Sequence, residues 1–411
     1  EAFSNNATVG YNLVVGPKGS PLQLTLNSVY YLSQPIENLP FETYMEFFSA
    51  DERAAMVRQY GGDPSAGDRD GKYSAFVAGG YAIPLALGDY FGEFRVVGTT
   101  PDFFKNLRYG PTLEREFVMR DGRSFETYTA ENGLFEAVLG SRVAAEMNMK
   151  VGDDMYPTHG DPEGKGHAES FKIVGVMAPT GTPNDRAAFV NLEGFYLMEN
   201  HAKPLEENFE ITPPSEPIGG GDGPKPLSIP EREVTSILVR NGSLMMAPIM
   251  QNTINESLQA QAAAPVGVIT RMLNQFVGPL MWVLLVITLI TCVVAAVGVL
   301  VAIYNSMNDR RRDIAVMRAL GARRDTVTTV IVLESLMVAV IGGFFGWVLA
   351  HLGLHFFGGP IEEQTGVQVG FLSVHPWEGV IVGVVLALAT FAALLPAAAA
   401  YRTDVGTNLA G

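Results

Sequence analysis

Two unlike patterns divide the chain. The run from Phe276 to Tyr304, FVGPLMWVLLVITLITCVVAAVGVLVAIY, carries no charge, and the runs 327–357 and 377–400 hold only Glu334 and Glu378 as charged residues. About 20 apolar residues of helix cross a bilayer core. The pattern therefore predicts three transmembrane helices at 276–304, 327–357 and 377–400, an all-α transmembrane bundle. Three such runs this close together leave too little polar surface to cover them as core helices of a soluble protein.

Before residue 276 the periods are short and mixed. Leu22 to Leu32 (LQLTLNSVYYL) alternates as a strand would, and Tyr81–Ala86, Glu93–Val97, Phe171–Met177 and Thr235–Val239 are further strand candidates. Pro40–Tyr60 and Ser141–Met149 space their apolar residues as helices do. Residues 1–244 thus read as an α+β domain, with an exposed Pro/Gly-rich loop over 213–230. A helical pattern resumes over 245–275 and reads as a stalk leading to the first span, with Pro265 as its kink or break.

Charge orients these parts. The chain has 411 residues, a net charge of −15 and 17% charged residues against 47% hydrophobic. Nearly all the negative charge, a net −14, lies in residues 1–275. An acidic chain argues against nucleic acid as a partner, and a single cysteine, Cys292, excludes a disulfide scaffold and a cysteine-based zinc cluster. Six arginines, Arg310, Arg311, Arg312, Arg318, Arg323 and Arg324, fall in the loop 305–326. Arginine-rich short loops stay in the cytoplasm. That puts residues 1–275 outside, the short loop 358–376 outside and the tail 401–411 inside. An exported domain needs an export signal, so an N-terminal membrane helix ahead of Glu1 is expected.

Catalytic motifs are sparse. G-x-x-x-x-G-K-[ST], G-x-S-x-G and H-E-x-x-H do not occur in the sequence, so no catalytic residue, cofactor or nucleotide site is assigned to this chain. Asp153, Asp154, His159, Asp161, Glu163, His167 and Glu169 crowd into 17 residues. The plain reading is a solvated acidic loop made flexible by Gly160, Gly164 and Gly166. His159 and His167 are weak metal candidates, of a type that suits zinc. Within the spans, Glu334 is an intramembrane polar candidate, and His351 and His355 lie on one helix face as interfacial polar residues. In the basic loop, Ile314, Met317 and Leu320 form an apolar stripe at three-residue spacing, with Gly321 placed to cap a short amphipathic helix. Such a helix either rests on anionic lipid or docks a cytoplasmic partner.

The same loop carries a resemblance. Arg312-Asp313-Ile314-Ala315-Val316-Met317-Arg318-Ala319-Leu320-Gly321-Ala322, followed by Glu334-Ser335, resembles the signature of FtsX/MacB-type ABC transporter permeases, with Asp313 where Glu is usual. Pro396-Ala397, Ala400, Arg402, Asp404 and Leu409 are similar to the family's C-terminal tail, with Val405 in place of proline. Residues 97–104, 120–125, 137–144, 151–153 and 171–176 follow, in order, the pieces of the MacB-like periplasmic core domain.

The resemblance implies four spans, of which this chain supplies the last three. It implies a multi-pass protein of the bacterial inner membrane working with a cytoplasmic ABC ATPase dimer, which holds ATP and Mg, and with a second permease copy or a paralogue. Arg312, Asp313, Ile314, Met317, Arg318, Leu320 and Gly321 would form the ATPase-coupling element. A periplasmic or outer-membrane partner is compatible with it. The substrate would be a lipoprotein, a peptide or an amphipathic molecule. Two other readings compete: a non-transporting transducer that switches an extracytoplasmic hydrolase, and a membrane-anchored metal sensor resting on His159 and His167.

Overall fold

The computed structural model describes residues 10–32, 34–35, 37–110, 112–164, 166–205, 213–214, 217–220, 223–309, 316, 320–365 and 376–401. Two compact units divide at Leu273/Asn274. The first is a mixed α/β domain. Its strands are β1 (Leu13–Pro17), β2 (Leu39–Pro40), β3 (Tyr81–Phe91), β4 (Phe94–Thr99), β5 (Met119–Gly122), β6 (Glu136–Leu139), β7 (Asp154–Met155), β8 (Thr158–His159), β9 (Phe171–Met177), β10 (Ala187–Asn191), β11 (Glu233–Val234), β12 (Ser236–Arg240) and β13 (Ala260–Ala263). One large sheet runs β13-β1-β12-β3-β4-β10-β6-β9-β5, with β8 beside β3 and β7 beside β9. The pairs β4–β10 and β6–β9 are parallel and the rest antiparallel.

Both faces of this sheet are covered. On one face Val14, Ile83, Leu85, Val97, Val138, Phe189 and Leu238 pack with Leu24, Val29, Phe103, Phe104 and Ile269. The opposite face splits into two clusters. Leu13, Val15, Ile237 and Val239 meet Phe41, Met45, Tyr73 and Met250, while Val96, Ala137, Ile173, Ala188 and Val190 meet Val143, Leu192, Phe195 and Tyr196. A sheet buried on both faces needs apolar residues at consecutive positions rather than at alternate ones.

Three local differences from the sequence pattern have physical causes. Leu22–Leu32 is no strand: Pro21–Tyr30 forms a helix, α1. Ser20 caps it, accepting from the Gln23 amide at 3.4 Å, and Pro21 occupies the first turn, where its missing N–H costs nothing. The expected stalk over 245–275 is broken. Ala247–Asn255 is helical, Ala260–Ala263 pairs as edge strand β13 with β1, and a new helix starts at Pro265. Proline thus starts this helix instead of kinking it. The expected helix over Pro40–Tyr60 is two helices, Phe41–Met45 and Ala50–Tyr60, the second opened by Ser49 with its amide bonded to Glu52 Oε2 at 2.9 Å.

The second unit is helical. Among the described residues, Pro265–Ala302 and Thr328–Phe356 are long and apolar enough to cross a membrane, and a further helix spans Pro376–Tyr401.

Candidate functional site

Asp89, His159, His167 and His201 converge on one point. Asp89 sits on β3 where its pairing with β4 slips. Leu87 opposes Val97 and Tyr90 opposes Arg95, so β3 holds one extra residue in between. Such a bulge re-aims the side chain it carries. The two-residue strand β8 adds to the same stretch of β3, with His159 opposite Asp89. A hairpin returns from β8: Gly160 takes φ +68°, the Asp161 amide donates to His159 O at 2.8 Å, and the His167 amide donates to Pro157 O at 2.9 Å. His201 arrives from elsewhere. It follows the helix Leu192–Leu197, its amide donates to Met198 O at 3.3 Å, and its ring meets Phe195 edge-on at 4.4 Å.

Asp89 Oδ1 lies 3.3 Å from His159 Nδ1, and Asp89 Oδ2 lies 3.2 Å from both His167 Nε2 and His201 Nε2. One ligand atom from each of the four residues falls within 4.8 Å of the others. The Asp89 side chain is fully buried, those of His167 and His201 are 4% and 5% exposed, and His159 is 54% exposed. None of these close approaches has hydrogen-bond geometry: both Asp89 oxygens, His167 Nε2 and His201 Nε2 are buried without a hydrogen-bond partner. Burial pushes the His167 imidazole below its ordinary pKa, Asp89 pulls it up, and His201 and His159 push it further down.

Of the seven residues in the sequence cluster, only His159 and His167 reach this point. Asp154 pairs with Lys172 at 2.7 Å, Asp153 accepts from the Lys150 amide at 2.9 Å, and Asp161 Oδ1 accepts from the Glu163 amide at 2.9 Å. Asp89 and His201 escaped the sequence reading. The available signal for Asp89 was a lone carboxylate after Gly88 in an apolar strand.

The coupling residues are only partly in view. Arg312, Asp313, Ile314, Met317 and Arg318 lie outside the described residues. Leu320 is 84% exposed, its amide donates to Val316 O at 3.0 Å, and Gly321 follows at φ +100°. The left-handed backbone at Gly321 is of the kind that a C-capping glycine takes. Glu334 is exposed on the helix Arg324–Thr365. The two interfacial histidines separate. His351 is buried beside Glu378, with Nε2 3.8 Å from Oε2, and the same carboxylate accepts from Trp347 Nε1 at 2.8 Å, whereas His355 is exposed.

Two family models match the chain: a MacB-like periplasmic core domain over residues 41–215 and an FtsX-like permease C-terminal domain over residues 285–405. The first holds all four residues of the Asp-His cluster, and the second holds Leu320, Gly321 and Glu334. Three relatives are similar to the chain. An uncharacterized ABC transporter permease of Methanocaldococcus jannaschii is 24% identical over 379 residues, 88% of this chain and 84% of the relative. An uncharacterized ABC transporter permease of Bacillus subtilis, YknZ, is 26% identical over 146 residues, 35% of this chain and 33% of the relative. The macrolide export ATP-binding/permease protein MacB of Rhodopirellula baltica is 23% identical over 148 residues, 36% of this chain and 20% of the relative. With a MacB-like domain ahead of an FtsX-like one, and similarity to an ABC transporter permease over 88% of its length, the chain belongs to the FtsX/MacB-type ABC transporter permeases.

Proposed function

We propose that this chain is the non-catalytic permease subunit of an ABC transporter of the bacterial inner membrane. It would cross the membrane several times and pass the movement of a cytoplasmic ATPase dimer to its periplasmic domain. The observation that carries this reading is the order of the two domains on one chain, a MacB-like sheet domain followed by an FtsX-like domain of apolar helices. The arginines of 305–326 would put the turn between the first two spans on the cytoplasmic side. Ile314, Met317 and Leu320 are the anchors that a groove on the ATPase would bury, and Arg318 is the polar contact. ATP would close the ATPase pair, draw two such turns together, and move the periplasmic domains by rigid-body displacement. The cargo is a lipoprotein, a peptide or an amphipathic molecule, exported or extracted from the membrane.

A gentle detergent pull-down of the full-length protein, assayed for ATPase activity beside Arg318→Glu and Ile314→Asp, tests this. The expected result is a co-purifying ATPase of roughly 25 kDa, lost or uncoupled in both variants. Coupled activity unchanged in both would refute the docking assignment. An ATPase-free preparation from a chain with no fused ATPase would refute the permease reading.

A further inference from the structure

We propose that Asp89, His159, His167 and His201 bind a divalent first-row transition metal, zinc foremost, and that the ion clasps the 157–167 hairpin and the segment after Leu197 onto strand β3. The site is independent of the transport reading, since it lies wholly within the α/β domain.

Four observations carry the assignment. First, the donor set is three imidazoles and one carboxylate with no thiolate, which suits zinc and its neighbours rather than calcium or magnesium. Three of the chain's six histidines come to one point from separate segments, two from the 157–167 hairpin and one from beyond Leu197. Second, the spacing fits. Zinc bonds of 2.0–2.1 Å in a tetrahedron leave neighbouring ligand atoms about 3.3 Å apart. His167 Nε2 and His201 Nε2 each lie 3.2 Å from Asp89 Oδ2, His159 Nδ1 lies 3.3 Å from Oδ1, and one ligand atom from each residue lies within 4.8 Å of the others, so a small inward movement closes the set on the ion. Third, those contacts are not hydrogen bonds, so four buried polar atoms face one another unpartnered. A desolvated carboxylate with no donor is costly, and a cation between Asp89 and the rings satisfies all of them at once. Fourth, the local backbone is built for the arrangement. A bulge re-aims Asp89, a glycine at φ +68° turns the hairpin back so that His167 reaches the same point as His159, and Phe195 braces the His201 ring.

Four protein ligands close a tetrahedral site, which marks it as structural rather than catalytic. The half-exposed His159 is the side from which the ion enters. The 157–167 hairpin is otherwise lightly held. β8 is two residues long, and the hairpin beyond it is exposed at Gly160, Asp161, Pro162 and Glu163.

The test uses the full chain in detergent, purified without a polyhistidine tag, stripped with EDTA and dialysed against Zn2+ alone. Elemental analysis should find about one zinc per chain. Zn2+ at a hundredfold its Kd should raise Tm by about 5–10 °C over the EDTA-treated protein. Co2+ in place of Zn2+ should give the visible absorption of a tetrahedral ion. His159→Asn changes an exposed side chain and leaves folding intact, and it should weaken zinc binding by at least ~10-fold. His167→Gln should abolish the Tm shift. The proposal is overturned by less than about one zinc in ten chains. Zinc content and Tm shift unchanged in a His159→Asn, His201→Asn double variant would overturn it equally, since the ion would then sit elsewhere.

Discussion

Removing Glu193 should strand a buried cation and cost the α/β domain a large part of its stability. Arg232 and Glu193 have side-chain exposures of 0% and 6%. The Arg232 Nη1 and Nη2 atoms donate to Glu193 Oε1 and Oε2 at 2.8 Å each, and Nε donates to Leu227 O at 2.8 Å. The guanidinium lies 3.7 Å over the Tyr60 ring, with Tyr196 at 5.1 Å and Phe41 at 5.5 Å. One ion pair thereby ties the helix Leu192–Leu197, the helices of 41–60 and the turn before β11 to one another. Glu193→Ala leaves the guanidinium desolvated and unmatched, a loss of about 3–5 kcal/mol. At roughly 2–4 °C per kcal/mol for a domain of this size, Tm should fall by about 6–20 °C. The double variant Glu193→Leu, Arg232→Met fills the same space without charge and should recover most of the loss. The assay is thermal unfolding followed by near-UV circular dichroism in the tyrosine band. Tryptophan fluorescence serves as an internal control, because Trp282, Trp347 and Trp377 all lie in the helical unit. A loss under ~1 kcal/mol for Glu193→Ala, or a double variant no more stable than the single, would refute the reasoning, since either means that water or another anion already serves Arg232.

Other perturbations have equally definite signs. Burial opposes the Glu46 charge, but hydrogen bonds from Arg69 and the Lys72 amide and the charge of Arg53 overcome it and bring the Glu46 pKa down from 4.5 to about 2. A depressed carboxylate stabilises fully above its unfolded value and loses that contribution as pH falls from about 4.5 toward 2; the Tm gap between wild type and Glu46→Gln should therefore be wide at pH 7 and shrink across that window. A Cβ at Gly80 would lie 1.9 Å from Arg240 O, whereas one at Gly88 meets nothing within 4 Å. Gly80→Ala should cost about 3 kcal/mol in denaturant melts and Gly88→Ala little. Gly321→Val forces a branched side chain into φ +100°, at a cost of roughly 1–2 kcal/mol; it should lower ATPase coupling in the pull-down assay while leaving the melting of the α/β domain unchanged.

The sheet was easier to read at its middle than at its edges. Tyr81–Ala86, Glu93–Val97, Phe171–Met177 and Thr235–Val239 mark real strands, because their β-branched and aromatic runs are bounded by turn residues. Three of the four end later than the pattern suggests. β3 runs on through Gly88 and Asp89 to Phe91, since a sheet covered on both faces demands no alternation that would stop at a polar residue. Leu22–Leu32 failed for the opposite reason. Its alternating leucines satisfy a strand, yet Leu22, Leu26 and Val29 also share a helix face, and only the Ser-Pro start decides between the two. Strand β13 is alanine-rich, AQAA, and alanine favours helix. The open edge of β1 overrides that preference, a tertiary effect that no local window contains.

The Asp-His cluster shows where sequence reading stops for a stronger reason. His159 and His167 are eight residues apart and belong to one hairpin, so a local window finds them together. Asp89 lies 70 residues before His159 and His201 lies 34 after His167, and nothing in either neighbourhood points to the other. What joins them is the pairing of β8 with β3 and the packing of the helix Leu192–Leu197 over β4 and β10. The acidic residues around the two histidines then mislead, because they outnumber the ligands, and Asp153, Asp154 and Asp161 are spent on turns and on Lys172. Composition points to a solvated loop, and for Asp161 and Glu163 that is what the structure contains. The chemistry of the same loop is set by a carboxylate from another strand, fully desolvated, which only the assembled sheet can supply.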